Sequence, residues 1–343
     1  MKEYFAFQWH ITDHCDQRCE HCYIFAEDRD IPLQEMQWAD MERVLDNCRE
    51  MCDQLGRQPY FYITGGDPIL HRDFWRLAER LKTLGISFGI LGNPFHLDAV
   101  VCERLYRNGC ERYQLSIDGL RETHDSIRKP GSFDATLEKI PVIKAAGMRA
   151  VIMTTVSKRN LYEIPAIIDL VVVAKADVFA FARYCPTSLE KSAHVSPREY
   201  QALLAACWAK FEAYRDRGTT FNLKDHLWTL FLYEKGLFTI PEELLPDVVY
   251  DGCNCGISHL TILPGGDVYA CRRMESAVGN ALSERLLGIF LGDKMDEYRA
   301  YDKFSKCSKC ELLRFCRGCP AVACGHTGDF RAADPQCWKE VAV

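Results

Sequence analysis

The length and composition of the chain are those of an ordinary globular protein. Its 343 residues are 48% hydrophobic and 26% charged, which suffices for one large domain and a smaller one and excludes wholesale disorder. The 42 Lys and Arg against 48 Asp and Glu give a net charge of -6, which argues against a nucleic-acid partner. Because the sequence has no long apolar run and no cleavable export signal, we expect no membrane partner and a cytoplasmic location.

Cysteine is the unusual residue of this composition. The chain has 18 cysteines, and nine of them fall in the last 93 residues. A chain of this size without an export signal does not need disulfide staples, so metal or cluster ligation is the leading explanation for the clustered cysteines. The scattered cysteines are interpreted as small buried hydrophobic residues; they are Cys48, Cys52, Cys102, Cys110, Cys185 and Cys207.

Strand-like and helix-like patterns alternate over residues 1–215. Strands are predicted at 4–12, 59–64, 86–91, 111–117, 148–155 and 176–183. Helices are predicted at 36–55, 71–84, 96–108, 132–146, 160–173 and 197–215. Six such units predict an α/β fold in which a parallel sheet, covered by helices, forms an open, partial (β/α)6 barrel.

The alternation is lost after residue 215. Residues 216–250 are interpreted as a linker, and residues 251–343 as a small, cysteine-rich second domain. Within that domain, the segment Leu263–Asp267 contains a Pro-Gly-Gly run between two β-favouring stretches. This pattern predicts the turn of a β-hairpin.

The loop after the first predicted strand contains Cys15, Cys19 and Cys22 within eight positions. Such spacing lets three thiolates surround one compact metal centre. An iron–sulfur cubane normally takes four cysteines, so three local ligands would leave one iron open to another molecule. A zinc site with a distant fourth ligand and a chance grouping are the alternatives.

The CxxxCxxC spacing in this place resembles the radical S-adenosylmethionine (SAM) superfamily. The segment Ile63–Pro68 after the second strand is similar to the GGE-type motif of that superfamily, with Asp67 in place of the usual Glu. Two glycines at a strand end let a ligand approach the main chain closely, although a simple turn is the alternative. The resemblance implies that the methionyl amine of SAM is received by Thr64, Gly65, Gly66 and Asp67.

A further resemblance lies at the end of the fourth strand. The segment Leu115–Gly119 is similar to the ribose-contacting segment of peptide-modifying members, and His124–Arg128 continues the similarity. The resemblance implies that Ser116, Asp118 and Arg128 contact SAM. For Asp118 alone, a cap for the following helix is the alternative.

Two more side chains complete the predicted SAM site. His21 precedes the third cysteine, and the resemblance places it near the adenine. Arg183 ends the sixth strand, where it would neutralise a carboxylate of SAM or substrate, an ordinary surface arginine being the alternative. The loop Cys15–Cys22, the pair Gly65–Gly66, Ser116 and Arg183 all lie at the C-terminal ends of predicted strands, the face on which parallel barrels build active sites.

The cysteines of the second domain are similar to the seven-cysteine SPASM motif, whose domains hold two auxiliary [4Fe–4S] clusters. Auxiliary cluster I would be ligated by Cys253, Cys255, Cys271 and Cys319. Auxiliary cluster II would be ligated by Cys307, Cys310, Cys316 and Cys337.

Two features depart from the SPASM pattern. The last gap of the core motif has two residues where three are usual, and Cys253 and Cys255 are one residue apart. Cys324 is therefore an alternative ligand in place of Cys319 or Cys253. A pair of zinc ribbons is the alternative to two iron–sulfur clusters, because CxxC pairs also have zinc-ligand spacing.

The resemblance implies that a [4Fe–4S] cluster cleaves SAM reductively to a 5′-deoxyadenosyl radical, which abstracts a hydrogen from the substrate. The leading hypothesis is the modification of a peptide or protein, with a thioether or carbon–carbon crosslink made in a ribosomally synthesised peptide. Arg272 follows Cys271 where anaerobic sulfatase maturases commonly have an Asp, which counts against that activity.

The expected partners are a peptide or protein substrate and a flavodoxin- or ferredoxin-type electron donor. Because only 14 residues precede Cys15, we expect a separate leader-peptide-binding protein, with direct binding of the peptide as the alternative. A basic run around the second cluster is interpreted as a solvated surface, with docking of an acidic electron donor as the alternative; it comprises Lys303, Lys306, Lys309, Arg314 and Arg317.

Two other functions stay open. One is a small-molecule dehydrogenase, epimerase or decarboxylase on the same scaffold, which the product mass would distinguish. The other is a non-enzymatic iron–sulfur electron carrier or zinc-binding protein. The intact CxxxCxxC and the glycine pair oppose the second alternative, because an electron carrier needs neither an open iron nor a SAM cleft.

Overall fold

The computed structural model describes residues 4–25, 31–186, 194–245 and 248–341. The first six strands, β1 to β6, are Tyr4–Thr12, Gln58–Gly65, Phe88–Leu91, Cys110–Ser116, Arg149–Val156 and Val178–Arg183. The first seven helices, α1 to α7, are Trp38–Leu55, Phe74–Thr83, Ala99–Arg107, Arg121–Ile127, Ser132–Ala145, Ile164–Val173 and Pro197–Ala213. Each of the six predicted strands and helices is present, with bounds that shift by a few residues.

The C-terminal part of the chain adds shorter elements. Its strands, β7 to β10, are Thr220–Asn222, His259–Ile262, Asp267–Tyr269 and Ala277–Asn280. Its helices, α8 to α11, are Leu227–Glu234, Leu286–Phe290, Asp293–Asp296 and Pro320–Thr327. The predicted hairpin is confirmed, since β8 and β9 pair antiparallel around Leu263–Gly266.

The ten strands of the described residues belong to one open sheet in the order β10-β9-β8-β1-β2-β3-β4-β5-β6-β7. The strands from β8 through β1 to β7 pair in parallel, and the two outermost strands β7 and β10 do not meet. This arrangement confirms the partial barrel followed by a cysteine-rich domain with strands. Because the strands run the same way, their carboxyl ends form one rim, on which the loops after β1, β2, β4 and β6 lie together.

Strand β1 shows why the sheet has two different faces. Phe5, Phe7 and Trp9 are fully buried, and the Phe5 ring lies 5.1 Å from that of Phe290 in α9. Burying such a side chain stabilises the fold by about 1.5–3 kcal/mol. Successive side chains of a strand point to opposite faces, so Gln8 and His10 point to the concave side of the sheet.

The pairing of β8 with β1 was not predicted from the sequence. Ala6 lies opposite His259 and Trp9 opposite Ile262, so the sheet runs without interruption from the barrel into the C-terminal part. Residues 216–250, interpreted as a linker, contain β7, which extends the sheet beside β6, and α8. The domain limits at 215 and 250 stay a prediction. Among the described residues, no helix combines the length and the apolar character that crossing a bilayer requires.

Candidate metal and cofactor site

The three cysteines of the loop after β1 are held by side chains from other elements. Asn93 Nδ2 donates hydrogen bonds to Cys15 Sγ (3.2 Å) and to Asp16 Oδ1 (2.8 Å). On the other side of the loop, Arg128 Nη1 lies 3.7 Å from Cys19 Sγ. The Cys22 N–H donates to the Cys19 carbonyl at 3.1 Å, which turns the third cysteine towards the first two.

The loop presents these thiols in a partly enclosed site. Burial raises the pKa of Cys15 to about 11, and burial also raises the pKa of Cys19 against the opposing effect of Arg128. A metal ligand must be a thiolate, and a buried thiolate needs a compensating cation. The three thiols therefore fit an iron cluster, which supplies that positive charge.

Asp67 is a buried carboxylate beside this loop. Its side chain is 0% exposed, and among the described residues neither carboxylate oxygen has a hydrogen bond of ordinary geometry, although the backbone N–H groups of Ile69 and Asn93 lie near enough to act on its pKa. Burial raises the pKa of Asp67 to about 7, and the negative charge of the neighbouring Asp16 acts in the same direction. A buried carboxylate with only such weak backbone contacts is costly. A cationic amine next to Cys15 would satisfy Asp67, so this residue fits the methionyl ammonium group of SAM.

The glycine pair lets the cysteine loop pack against the end of β2. A Cβ atom on Gly65 would lie 2.0 Å from the Thr12 carbonyl oxygen, and one on Gly66 would lie 2.2 Å from that of His14. The φ angle of Gly65 is +131°, which L side chains rarely adopt. The sequence interpretation placed a ligand against these glycines, whereas the structure places the main chain of the cysteine loop there. The Thr64 hydroxyl donates to the Leu91 carbonyl at 3.1 Å.

Asp118 connects the end of β4 to the cysteine loop. Its Oδ2 accepts a hydrogen bond from Arg128 Nε (2.6 Å) and lies 3.3 Å from His21 Nε2, while its Oδ1 accepts from the Thr155 N–H (2.8 Å). Burial acts to raise the pKa of Asp118, but Arg128 and His21 hold it below its usual value. Asp118 thus positions the residues beside Cys19 and Cys22. Ser116, two residues earlier, ends β4 opposite Met153 of β5.

Arg183 lies at the junction between the barrel and the C-terminal domain. Its side chain is 4% exposed; Nε donates to Asp225 (2.8 Å), and Nη1 and Nη2 donate to the two carboxylate oxygens of Asp334 (2.6 and 2.8 Å). Nη1 also donates to Gln336 Oε1 at 2.9 Å. These partners satisfy the guanidinium, so the structure gives Arg183 a joining role in place of the expected contact with a carboxylate of SAM or substrate.

The four cysteines expected at auxiliary cluster I lie together. The Cys255 thiol donates to the Ala270 carbonyl at 3.1 Å, and the neighbouring thiols of Cys253 and Cys271 raise its pKa. Cys319 is electrostatically coupled to Cys271, and Arg273 Nη2 donates to Cys319 Sγ at 3.6 Å. We call this group, with its surrounding residues, auxiliary site I.

The four cysteines expected at auxiliary cluster II form a separate group, auxiliary site II. Cys307 interacts electrostatically with Cys310 and Cys337, and Cys316 interacts with Cys307 and Cys337. Cys324, the alternative ligand of auxiliary cluster I, lies on α11, packs with Cys271 against the apolar cluster that contains Cys319, and interacts electrostatically with Cys271.

Several side chains that support these sites were missed from the sequence. Arg317, interpreted as part of a basic surface, is 3% exposed and donates to the carbonyl oxygens of Cys253 (2.6 Å) and Asp251 (2.9 Å). Arg273 and Asn93 contact cluster cysteines directly. An arginine within two residues of a predicted ligand was a usable signal for Arg273 and Arg317, whereas Asn93 carries no local signal.

Comparison with known proteins agrees with this arrangement. The sequence profile of the radical SAM superfamily matches residues 9–171, and that of SPASM, an iron-sulfur cluster-binding domain, matches residues 253–320. An AdoMet-dependent heme synthase from Methanosarcina barkeri is 26% identical over 96% of this chain and 95% of its own length. A mycofactocin maturase from Mycobacterium tuberculosis is 28% identical over 46% of this chain and 39% of its own length.

Among solved structures, SuiB of Streptococcus suis is similar in fold. In complex with S-adenosylmethionine it has a TM-score of 0.75 at 19% identity, covering 98% of this chain and 77% of SuiB. In complex with its precursor peptide SuiA it has a TM-score of 0.75 at 20% identity, covering 97% of this chain and 76% of SuiB. The similarity thus extends through both parts of the chain described above.

Proposed function

We propose that this chain, a radical SAM enzyme with a C-terminal SPASM domain, modifies a peptide or protein substrate, forming a thioether or carbon–carbon crosslink during maturation of a ribosomally synthesised peptide. Its cofactors, SAM and [4Fe–4S] clusters, supply when bound a 5′-deoxyadenosyl radical that abstracts hydrogen. The SAM-binding cluster is assigned to Cys15, Cys19 and Cys22. The chain itself binds the cofactors, orients the substrate and keeps stray hydrogen donors away.

The polar lining of the concave face beneath the cysteine loop carries this proposal. Gln8 Nε2 lies 3.1 Å from His10 Nε2 and donates to the Tyr23 hydroxyl at 3.5 Å. On the neighbouring strand β8, His259 Nε2 lies 3.3 Å from Thr261 Oγ1. A peptide main chain in a desolvated site needs such donors and acceptors, because unpaired buried amides are costly.

The charges on this face are few. Burial, with Arg272 nearby, lowers the pKa of His10, so its ring is neutral and offers a nitrogen to a substrate. Lys224 is exposed and supplies one cation at the edge of this face. Most of the lining is therefore suited to binding the hydrogen-bonding groups of a substrate. A small number of cationic side chains can bind its acidic groups.

Arg272 approaches this face from the C-terminal domain. Its guanidinium carbon lies 4.7 Å from the centroid of the Tyr23 ring, and among the described residues its buried Nε has no hydrogen-bond partner. A guanidinium stays protonated and cannot act as a base. Arg272 is therefore suited to binding a carbonyl or carboxylate of the substrate, which supports a reaction other than that of the sulfatase maturases.

Two of the similar proteins support a peptide substrate. SuiB was solved with a precursor peptide, and the mycobacterial relative is named a maturase. A second candidate function rests on the heme synthase relative, whose similarity spans both whole chains. Under that alternative, Lys224 and Arg272 would bind the carboxylates of a porphyrin substrate.

The two candidates are distinguished by products. The anaerobically reconstituted enzyme is incubated with SAM, dithionite and either peptides encoded beside its gene or Fe-coproporphyrin III, with Cys15→Ala as control. We expect 5′-deoxyadenosine and a peptide lighter by two hydrogens per crosslink, both absent with the control. An unchanged peptide together with SAM-dependent conversion of the porphyrin would replace the peptide proposal with the second candidate.

A further inference from the structure

We propose that Asn93 is a positioning residue that sets the reduction potential of the SAM-binding cluster, through the hydrogen bond between its side-chain amide and Cys15 Sγ. Asn93 lies in the loop after β3 and was not among the site residues predicted from the sequence. The inference rests on the proposed function only in taking Cys15, Cys19 and Cys22 as the ligands of that cluster, and it is independent of the substrate.

The first observation is the orientation of the Asn93 amide. Its Nδ2 lies 3.2 Å from Cys15 Sγ and 2.8 Å from Asp16 Oδ1. An ionised carboxylate accepts hydrogen bonds and donates none, so the atom of the amide that faces Asp16 is the nitrogen. The other N–H of the same group is then directed at Cys15 Sγ. Asn93 therefore donates to this sulfur whether Cys15 is a free thiol or a ligand of iron.

The second observation is that the main chain of Asn93 is fixed against β4. Its carbonyl oxygen accepts a hydrogen bond from the hydroxyl of the fully buried Tyr113 at 3.1 Å. The preceding Gly92 N–H donates to the Gln114 carbonyl at 3.2 Å, and a Cβ atom on Gly92 would lie 2.4 Å from the Tyr113 hydroxyl. Because the loop packs this closely, the amide of Asn93 is held in place beside Cys15.

The third observation is that little water reaches this hydrogen bond. Asn93 is 7% exposed, and a hydrogen bond is electrostatically stronger in such surroundings than in water. Among the described residues, the other donor to Cys15 Sγ is the Gln17 N–H, at a longer distance of 3.4 Å. Asn93 thus supplies the shorter of the two hydrogen bonds, and it supplies it from a side chain that can be substituted.

Reduction of the cluster increases the benefit of such a donor. One electron from a low-potential electron donor enters the cluster, no bond forms or breaks, and the negative charge on the ligand sulfurs increases. A hydrogen bond to a more negatively charged acceptor is stronger, so the Asn93 amide stabilises the reduced state more than the oxidised state. Hydrogen bonds to the sulfurs are among the factors that set the potential of iron–sulfur clusters. Asn93 therefore raises the reduction potential and makes the SAM-binding cluster easier to reduce.

Redox titration of the reconstituted holoenzyme tests this role. The electron paramagnetic resonance signal that changes on addition of SAM reports the SAM-binding cluster, and the remaining signals report the auxiliary clusters. Asn93→Leu keeps the approximate shape of the side chain and removes the donor. The matched control is Asn108→Leu, because Asn108 is also 7% exposed and its Nδ2 donates one hydrogen bond, to the Arg104 carbonyl at 2.9 Å at the end of α3.

In Asn93→Leu we expect the ratio of reduced to oxidised SAM-binding cluster at a fixed potential to fall about tenfold, a shift of about 59 mV to a more negative midpoint for one electron. The auxiliary clusters and Asn108→Leu should keep the wild-type midpoints. An unchanged midpoint in Asn93→Leu, or an equal shift in Asn108→Leu, would overturn the proposal. A wild-type enzyme with about eight irons and no SAM-sensitive signal would overturn the cluster assignment of the proposed function as well.

The wild-type enzyme supplies a second measurement, so that the result does not depend on assembly of the cluster in Asn93→Leu. The protein is made with nitrogen-15 in the side-chain amides of asparagine, reduced, and studied by electron–nuclear double resonance at the SAM-sensitive signal. Among the described residues, Asn93 is the asparagine whose amide contacts a cysteine of this cluster. We therefore expect a nitrogen-15 coupling at that signal, and its absence would contradict the hydrogen bond to Cys15.

Discussion

Arg183 and Asp334, which are 151 positions apart in the chain, form a buried, bidentate ion pair with N–O distances of 2.6 and 2.8 Å. Arg183 is the last residue of β6, and Asp334 lies beside auxiliary site II, so the pair joins the barrel rim to the C-terminal domain. Asp334 Oδ2 also accepts a hydrogen bond from the Cys319 N–H at 2.8 Å. One carboxylate thus contacts both the barrel and a candidate cluster ligand.

Asp334→Ala should destabilise the protein strongly. The change leaves the buried Arg183 with Asp225 as its remaining carboxylate, and removal of one partner from a buried ion pair costs about 3–5 kcal/mol. The matched control is Glu103→Ala, which breaks the exposed pair with Arg107 and should cost at most about 1 kcal/mol. Anaerobic urea unfolding of the holoenzyme measures the loss of stability in both variants. Equal unfolding midpoints for the two variants would refute the prediction.

Alanine at Cys15, Cys19 or Cys22 should abolish SAM cleavage and leave the auxiliary clusters in place. Iron should fall from about twelve to about eight per chain, since a cubane holds four. Cys207→Ala is the control, because this buried thiol belongs to the hydrophobic core. Iron analysis and 5′-deoxyadenosine assays check the result, and 5′-deoxyadenosine formation by any of the three variants would disprove the assignment.

Asp67→Asn should weaken SAM binding. The variant keeps the shape of the buried group but removes the charge that we assign to the methionyl ammonium, a charge-assisted hydrogen bond of about 1.5–3 kcal/mol. The Kd for SAM should therefore rise by about 10- to 150-fold. Equilibrium dialysis without reductant measures it, with Asp73→Asn before α2 as the control. Wild-type affinity in Asp67→Asn would argue against the ammonium contact.

Gly66→Ala should displace the cysteine loop from β2. Its Cβ would lie 2.2 Å from the His14 carbonyl oxygen, which belongs to main chain and cannot yield easily. We expect the free energy of unfolding to fall by more than about 2 kcal/mol and the SAM-binding cluster to be lost. Gly288→Ala in α9 is the control, because its Cβ would meet nothing within 4 Å and should stabilise the helix by up to about 1 kcal/mol. Wild-type iron content in Gly66→Ala would contradict the close packing.

The stability of the protein should fall as the pH drops below about 6.5, partly because of His124. Burial, helped by Arg128, lowers the pKa of His124 to about 4 in the folded chain. The unfolded chain therefore binds the proton first, and stability is lost from about pH 6.5 towards about pH 4 by up to about 1.4 kcal/mol per pH unit. His124→Gln should flatten this dependence in urea unfolding between about pH 7 and about pH 5. An identical slope in the variant would exclude His124 as a contributor.

The β/α units could be predicted because each leaves a local pattern. Strands buried on both faces, such as β6, are nearly continuous apolar runs, and each helix shows its own spacing. The cysteine groups could also be predicted from the sequence, because ligands within one loop keep a fixed spacing. For the same reason, the elements that were missed are short: α4 has seven residues and β7 has three.

The partners across the molecule could not be predicted in this way. Nothing near Arg183 indicates that Asp225 and Asp334 will satisfy it, because the three residues meet only in the folded chain. The same holds for Cys185, whose neighbour Cys319 lies far along the sequence. A local pattern names the residues suited to a site, whereas long-range packing decides which of them reach it.

The pairing of β1 with β8 has a consequence for how the chain is made. Strand β1 can pair with β2 once about the first 65 residues have left the ribosome, but its other edge waits for His259–Ile262. Until then, that edge presents unpaired backbone groups flanked by Phe5, Phe7 and Trp9, a template for pairing with other chains. Synthesis slow enough to prolong this interval, or truncation before residue 259, should favour aggregation over a soluble half-barrel.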